Sequence, residues 1–197
     1  MRSTISRSDK LVNILALAVI IIINSCDYAI HQMSEIVVDK MAGMNGSFEF
    51  TKSGLPVNWL LYTPKTVPTG DFEIIVDSIE FKEGKQSLKF IVRECSSAGG
   101  WYSPGFCNEF PAKPDESYKI SFWVKNNGSG FHVRIGGVGY STGQYETIVK
   151  SDETIDNWQL YEYKYEIPEK MNAIRFELNI LKPGIFWIDD LRIDQVL

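Results

Sequence analysis

Histidine is nearly absent from this 197-residue chain, with two in all, and cysteine occurs three times. So few His leave little room for imidazole catalysis or a His-rich metal site. No Ser/His/Asp set, phosphate loop or metalloprotease motif is present. A basic excess is also missing. The net charge is −5, which argues against a nucleic-acid partner, because phosphate neutralisation needs clustered Lys and Arg. No stretch holds a capped 3.6-residue period, which excludes a helical architecture. No apolar run reaches the roughly 20 residues that span a bilayer as a helix. What the chain has in plenty is aromatic residues, 13% of the total, with five Trp and nine Tyr. Hydrophobic content of 44% and charged content of 23% are those of a globular domain.

The first residues read as an address. Arg2, Arg7 and Lys10 precede an apolar run from Leu11 to Ile23, interrupted only by Asn13. Positive start, short apolar run and small-residue end are the parts of a secretory signal. Ile23-Asn24-Ser25-Cys26 looks like a bacterial lipobox, in which Cys26 is acylated and becomes the first mature residue. The alternative is an uncleaved signal anchor. The expected organisation is a signal peptide over 1–25, a tether over 26–44 and one domain over 45–197. Loss of the signal removes three bases and one acid, so the exported domain is the more acidic, held to a membrane by its lipid and not by a basic patch.

Export also permits a disulfide between Cys95 and Cys107, which bracket an 11-residue loop containing Gly99, Gly100, Trp101, Pro104 and Gly105. Two separately buried thiols are the alternative. From Asn45 onward, alternation of period two predicts strands at 87–93, 118–125, 131–136, 144–149, 158–167, 173–180 and 185–193. Asn126-Asn127-Gly128 and Lys182-Pro183-Gly184 punctuate them as turns. Many short strands with turns between them predict an all-β sandwich or barrel.

Six segments resemble, in order, the carbohydrate-binding modules of families four, nine and twenty-two. They are Asn45-Gly-Ser-Phe-Glu49, Leu55-Pro56 through Trp59, Gly84-Lys-Gln-Ser-Leu88, Tyr118 to Lys125, Trp158-x-x-Tyr161, and Phe186-Trp-Ile-Asp-Asp-Leu191. The resemblance implies a jelly-roll β-sandwich of the galactose-binding-like type. It also implies a glycan-binding outer face on the sheet built from about 106–111, 131–137, 144–149 and 172–181. Period two turns His132, Arg134, Arg175, Glu177 and Asn179 outward there, with Asn108 and Tyr145 as further candidates.

A sugar offers C–H groups on one face and hydroxyls at its edge, so a site needs flat aromatics and forked polar groups. The expected polar contacts are Arg134, Glu177, Asn179 and Gln144; the expected stacking residues are Trp101, Tyr102, Tyr140 and Tyr145. Trp59, Tyr118, Trp158 and Tyr161 match positions that are usually core. Glu49, Asp189 and Asp190 match a structural Ca²⁺ site, a cation that takes six to eight oxygens. The functional expectation is non-catalytic polysaccharide binding by an exported, lipid-anchored protein of the bacterial cell envelope, at the outer membrane or cell surface. The alternative is a structural or adhesive envelope protein that binds another protein through the same face.

Overall fold

The computed structural model describes residues 44–136 and 145–196. The signal segment, Cys26, nearly all of the tether, Tyr140 and Gln144 lie outside them. Twelve strands are described: β1 (Thr51–Lys52), β2 (Leu55–Pro56), β3 (Leu60–Tyr62), β4 (Asp71–Asp77), β5 (Ser87–Glu94), β6 (Gly105–Pro111), β7 (Ser117–Asn127), β8 (Gly130–Gly136), β9 (Tyr145–Ser151), β10 (Ile155–Glu166), β11 (Ala173–Lys182) and β12 (Gly184–Gln195). The β1–β2 pair is a small hairpin. The others form two five-stranded sheets, sheet I in the order β10-β7-β12-β5-β4 and sheet II in the order β3-β6-β11-β8-β9. All pairings are antiparallel.

The alternating residues meet between the sheets. Leu88, Phe90 and Val92 of β5, Ile120, Phe122 and Val124 of β7, and Phe186 and Ile188 of β12 line the inner side of sheet I. Phe106, Phe131, Val133, Ile135, Ile174, Phe176 and Leu178 line that of sheet II. Rings cross the gap, with Phe131 to Phe186 centroids at 4.8 Å, Phe122 to Phe176 at 5.7 Å and Phe90 to Phe106 at 6.2 Å. Each buried Phe stabilises the fold by roughly 1.5–3 kcal/mol, so these rings hold the sandwich together. Trp59 and Tyr118 are buried with the core, Tyr161 packs against it, and Trp158 is half-buried at the bulge in β10. The β7–β8 hairpin turns at Gly128, whose φ of 81° suits glycine. The Asn126 amide closes that turn by accepting from Ser129 N–H and donating to the Ser129 carbonyl.

The opening and closing motifs both grip the β4–β5 loop. Asn45 is buried; its amide donates to the carbonyls of Phe50 and Val57, and its own carbonyl accepts from the Trp59 indole at 3.0 Å. Glu49 Oε1 accepts the N–H groups of Lys85 at 2.7 Å and Gln86 at 3.1 Å. Asp189 Oδ2 accepts those of Lys82 and Glu83, and its Oδ1 that of Asp190. Segments from the two ends of the domain are thereby tied to one loop.

Candidate functional site

Strand register places three rows of residues on the outer face of sheet II. The first is Glu109, Arg175, Gly136 and Tyr145; the second is Leu60, Cys107, Glu177, Arg134 and Thr147; the third is Tyr62, Gly105, Asn179, His132 and Lys150. The outward assignment of His132, Arg134, Arg175, Glu177 and Asn179 agrees with this register. Asn108 does not share the face. Its register partner is Phe176, a core residue, so it turns inward and donates to the Asn58 carbonyl at 2.6 Å.

A short 3₁₀ turn, Gly100–Tyr102, lies on this face. Gly99 and Gly100 adopt φ of 76° and 57°, conformations that favour glycine. A Cβ on Gly99 would lie 2.8 Å from the His132 ring, so only glycine fits between turn and sheet. Asn179 pins the turn. Its Oδ1 accepts from Gly100 N–H at 2.9 Å and its Nδ2 donates to the Gly100 carbonyl at 3.1 Å. The same Oδ1 lies 2.9 Å from His132 Nε2. This paired contact orients the amide, so His132 donates from Nε2. Burial lowers the His132 pKa, which keeps the ring neutral near neutral pH.

The turn presents two aromatics to solvent, Trp101 at 52% exposure and Tyr102 at 70%. One side of Trp101 rests on Tyr62, with centroids 4.7 Å apart and the rings tilted by 42°. Tyr62 is wholly buried and ties the aromatics to the charges beneath. Its hydroxyl donates to Glu177 Oε1 at 3.2 Å and lies 3.4 Å from Cys107 Sγ, and it accepts from Arg175 Nη2 at 3.2 Å. Burial raises its pKa far above the ordinary phenol value. Glu177 is 2% exposed. Its Oε1 also takes Arg134 Nη2 at 3.3 Å, and its Oε2 faces Arg175 Nε at 3.6 Å. Arg134 lies over the Tyr145 ring, 5.0 Å from its centroid.

The expected site residues therefore divide by task. Trp101, Tyr102, Tyr145 and part of Arg134 reach solvent. Glu177 and Asn179 are buried supports, one holding the arginines and Tyr62, the other holding the aromatic turn. The sequence reading missed Tyr62. It sits on a three-residue strand too short to show a period, and no motif marks it.

The expected Cys95–Cys107 bridge is not formed, and both cysteines are free. Cys95 follows β5 of sheet I and packs against the core, whereas Cys107 shares the outer row of sheet II with Glu177. There its sulfur meets Tyr62 and Arg175 Nη2, each at 3.4 Å, and burial raises its pKa. The two thiols thus belong to different sheets and different surroundings.

The carboxylates expected to hold calcium are otherwise engaged. Glu49 Oε1 and both oxygens of Asp189 accept main-chain N–H groups, and Asp190 forms a two-pronged pair with Arg192 at 2.7 and 2.9 Å. Burial outweighs the N–H bonds at Asp189 and raises its pKa to about 7. A carboxyl surrounded by N–H donors is a poor ligand for a hard cation. Among the described residues no group of three or more His, Cys, Asp or Glu could hold a metal ion.

Neither a family model nor a curated protein matches the chain. Solved structures do. A xylan-binding family 22 module from Paenibacillus barcinonensis Xyn10C is 18% identical, with a TM-score of 0.54 over 77% of this chain and 92% of that one. A family 4 carbohydrate-binding module is 12% identical, with a TM-score of 0.54 over 77% and 98%. The enzymatically active domain of tailspike protein 4 from bacteriophage CBA120 is 13% identical, with a TM-score of 0.56, and here the match covers 77% of this chain but 21% of the tailspike. At these identities the likeness is one of fold: the described domain is a jelly-roll β-sandwich of the kind found in carbohydrate-binding modules.

Proposed function

We propose that this chain binds a polysaccharide through the outer face of sheet II and does not cleave it. The observation that carries the reading is the turn at Gly100–Tyr102. It holds Trp101 and Tyr102 out to solvent on a backbone pinned by Asn179, beside the part-exposed Arg134 and Tyr145. Exposing two adjacent aromatics costs solubility, and fixing them in advance lowers the entropy lost when a ring stacks on them. Two of the structural neighbours are xylan-binding or carbohydrate-binding modules, which supports a glycan as ligand. Binding without cleavage is supported by the binding modules among the neighbours and by Glu177, which is buried and engaged by Tyr62 and two arginines. An open sheet face buries little ligand, so single-site affinity is expected to be weak.

The protein is further proposed to be exported and lipid-anchored at Cys26 in a bacterial envelope, on the strength of the signal-like start and the Ile23-Asn24-Ser25-Cys26 segment. Incorporation of labelled palmitate that is lost in Cys26→Ser tests the anchor. For the ligand, the full chain is screened in detergent against a plant and bacterial glycan array including xylan. Binding that disappears in Trp101→Ala supports the reading. Silence across the array from a folded protein overturns it, and favours a protein partner on the same face, where Leu60 is half exposed beside the aromatics.

A further inference from the structure

Resting on that reading, we propose that the outer face of sheet II selects a carboxylated polysaccharide, one bearing uronic acid residues, over a neutral one. The chain carries a net charge of −5, yet this face runs the other way. Its register rows hold Arg134, Arg175 and Lys150 against Glu177 and Glu109. The neighbouring segment 137–144 contains no charged residue, so it cannot supply a balancing acid.

The guanidinium groups are also loosely held. Arg134 to Glu177 is 3.3 Å, Arg175 to Glu177 is 3.6 Å, and Arg175 to Glu109 is 3.5 Å. The part-buried pairs of sheet I are much closer: Lys89–Asp77 at 2.9 Å, Lys125–Glu80 at 2.7 Å and Arg192–Asp190 at 2.7 Å. A full charge-assisted hydrogen bond spans about 2.7–2.9 Å, so the arginines of sheet II fall short of it while those pairs reach it. In addition, the Nε–H groups of Arg134 and Arg175 are both buried without a hydrogen-bond partner among the described residues. A buried donor left unpaired is costly, and two on one face mark a site short of acceptors.

A planar carboxylate answers the charge surplus at the part-exposed Arg134 guanidinium. It supplies two oxygens in the geometry of a guanidinium fork and neutralises the surplus charge, which a hydroxyl cannot do. Placement agrees. A Cβ on Gly100 would lie 3.9 Å from both Arg134 Nη2 and Glu177 Oε1, so the turn that carries Trp101 and Tyr102 runs directly beside Arg134. A sugar stacked on those rings brings a ring substituent within reach of Arg134.

The test compares the full chain's affinity, by titration calorimetry in 50 mM salt, for glucuronic-acid-substituted xylo-oligosaccharide, for its carboxyl-reduced counterpart and for oligogalacturonate. At least tenfold tighter binding to one of the acidic oligomers than to the reduced one is expected. That ratio should fall towards one at 500 mM salt and in Arg134→Gln. Equal affinity for acidic and reduced forms overturns the selectivity and leaves glycan binding standing. Binding of none of the three, with a glycan array also silent, overturns the glycan reading itself. A preference unchanged in both Arg134→Gln and Arg175→Gln, with both variants folded by near-ultraviolet circular dichroism, overturns the assignment to these side chains.

Discussion

The two outer faces of the sandwich use the same residue types to opposite ends. On sheet I, Lys82 lies 4.2 Å from the Trp123 ring, and Lys89 and Lys125 lie 4.9 and 5.6 Å from that of Trp187. The Trp187 indole donates to Asp77 at 3.0 Å, Lys89 pairs with the same carboxylate, and Lys125 pairs with Glu80. Trp123 and Trp187 each have a cation over the ring, and each of the two cations on Trp187 has an acid. On sheet II, Trp101 and Tyr102 stand in solvent and two arginines share a buried Glu177 at long range. Aromatic content does not set the two faces apart; the completeness of the pairing does.

The largest effect expected from breaking this contrast is at Glu177. Glu177→Ala leaves Arg134, Arg175 and the Tyr62 hydroxyl facing one another without the acid, and removal of one partner from a buried charge cluster costs about 3–5 kcal/mol. Urea unfolding should show it as a lower midpoint at unchanged slope. Next, Trp101→Ala should weaken glycan binding by about 2 kcal/mol, roughly 30-fold, as for a central aromatic anchor. Its stability should fall by only about 1 kcal/mol, the worth of one lost ring pair. Calorimetry and thermal melts separate the two numbers.

A smaller effect sharpens the other side. Burial alone would raise the Asp77 pKa, but hydrogen bonds from Trp187, Ile79 N–H, Lys89 and Glu80 N–H outweigh it and hold the carboxyl well below the ordinary range. A depressed folded-state pKa stabilises the fold above the unfolded value of about 4, and that contribution is lost as pH falls below it. Asp77→Asn should therefore be less stable than wild type by about 1 kcal/mol at pH 7, with the gap closing towards pH 3 in urea titrations. The smallest effect expected is that of chelation. EDTA should leave the melting temperature unchanged, because Glu49, Asp189 and Asp190 are satisfied by N–H groups and Arg192.

Alternation made most of the fold legible. The seven strands read from the period correspond to β5, β7, β8, β9, β10, β11 and β12, since a sheet with one buried face writes its register into the sequence. The strands β1, β2 and β3 were not, being two or three residues long. Strand β4 escaped as well, because Ile74, Ile75 and Val76 run together and blur the alternation. At the site, period two found the outward residues but could not tell contact from support. That Asn179 holds a turn, and that Glu177 holds Arg134 as well as its near neighbour Arg175, depends on residues 79 and 43 positions away, and no local pattern carries that information. The cysteine pair misled for a related reason: proximity along the chain says nothing about which side of a sheet a thiol faces.

The strand order has a consequence for crowding. Among the described residues each sheet ends in edge strands, β10 and β4 in one and β3 and β9 in the other. Unpaired edges are templates for pairing with another copy. Here β3 is three residues long, and β10, the longest of the four edge strands at 12 residues, is broken by a bulge between Ile155 and Gln159 and carries Asp156, Glu162, Lys164 and Glu166. Asp71 and Glu73 guard β4, and Glu146 and Lys150 guard β9. Copies crowded together can then lie side by side without their sheets joining, which leaves the aromatic turn of each one exposed.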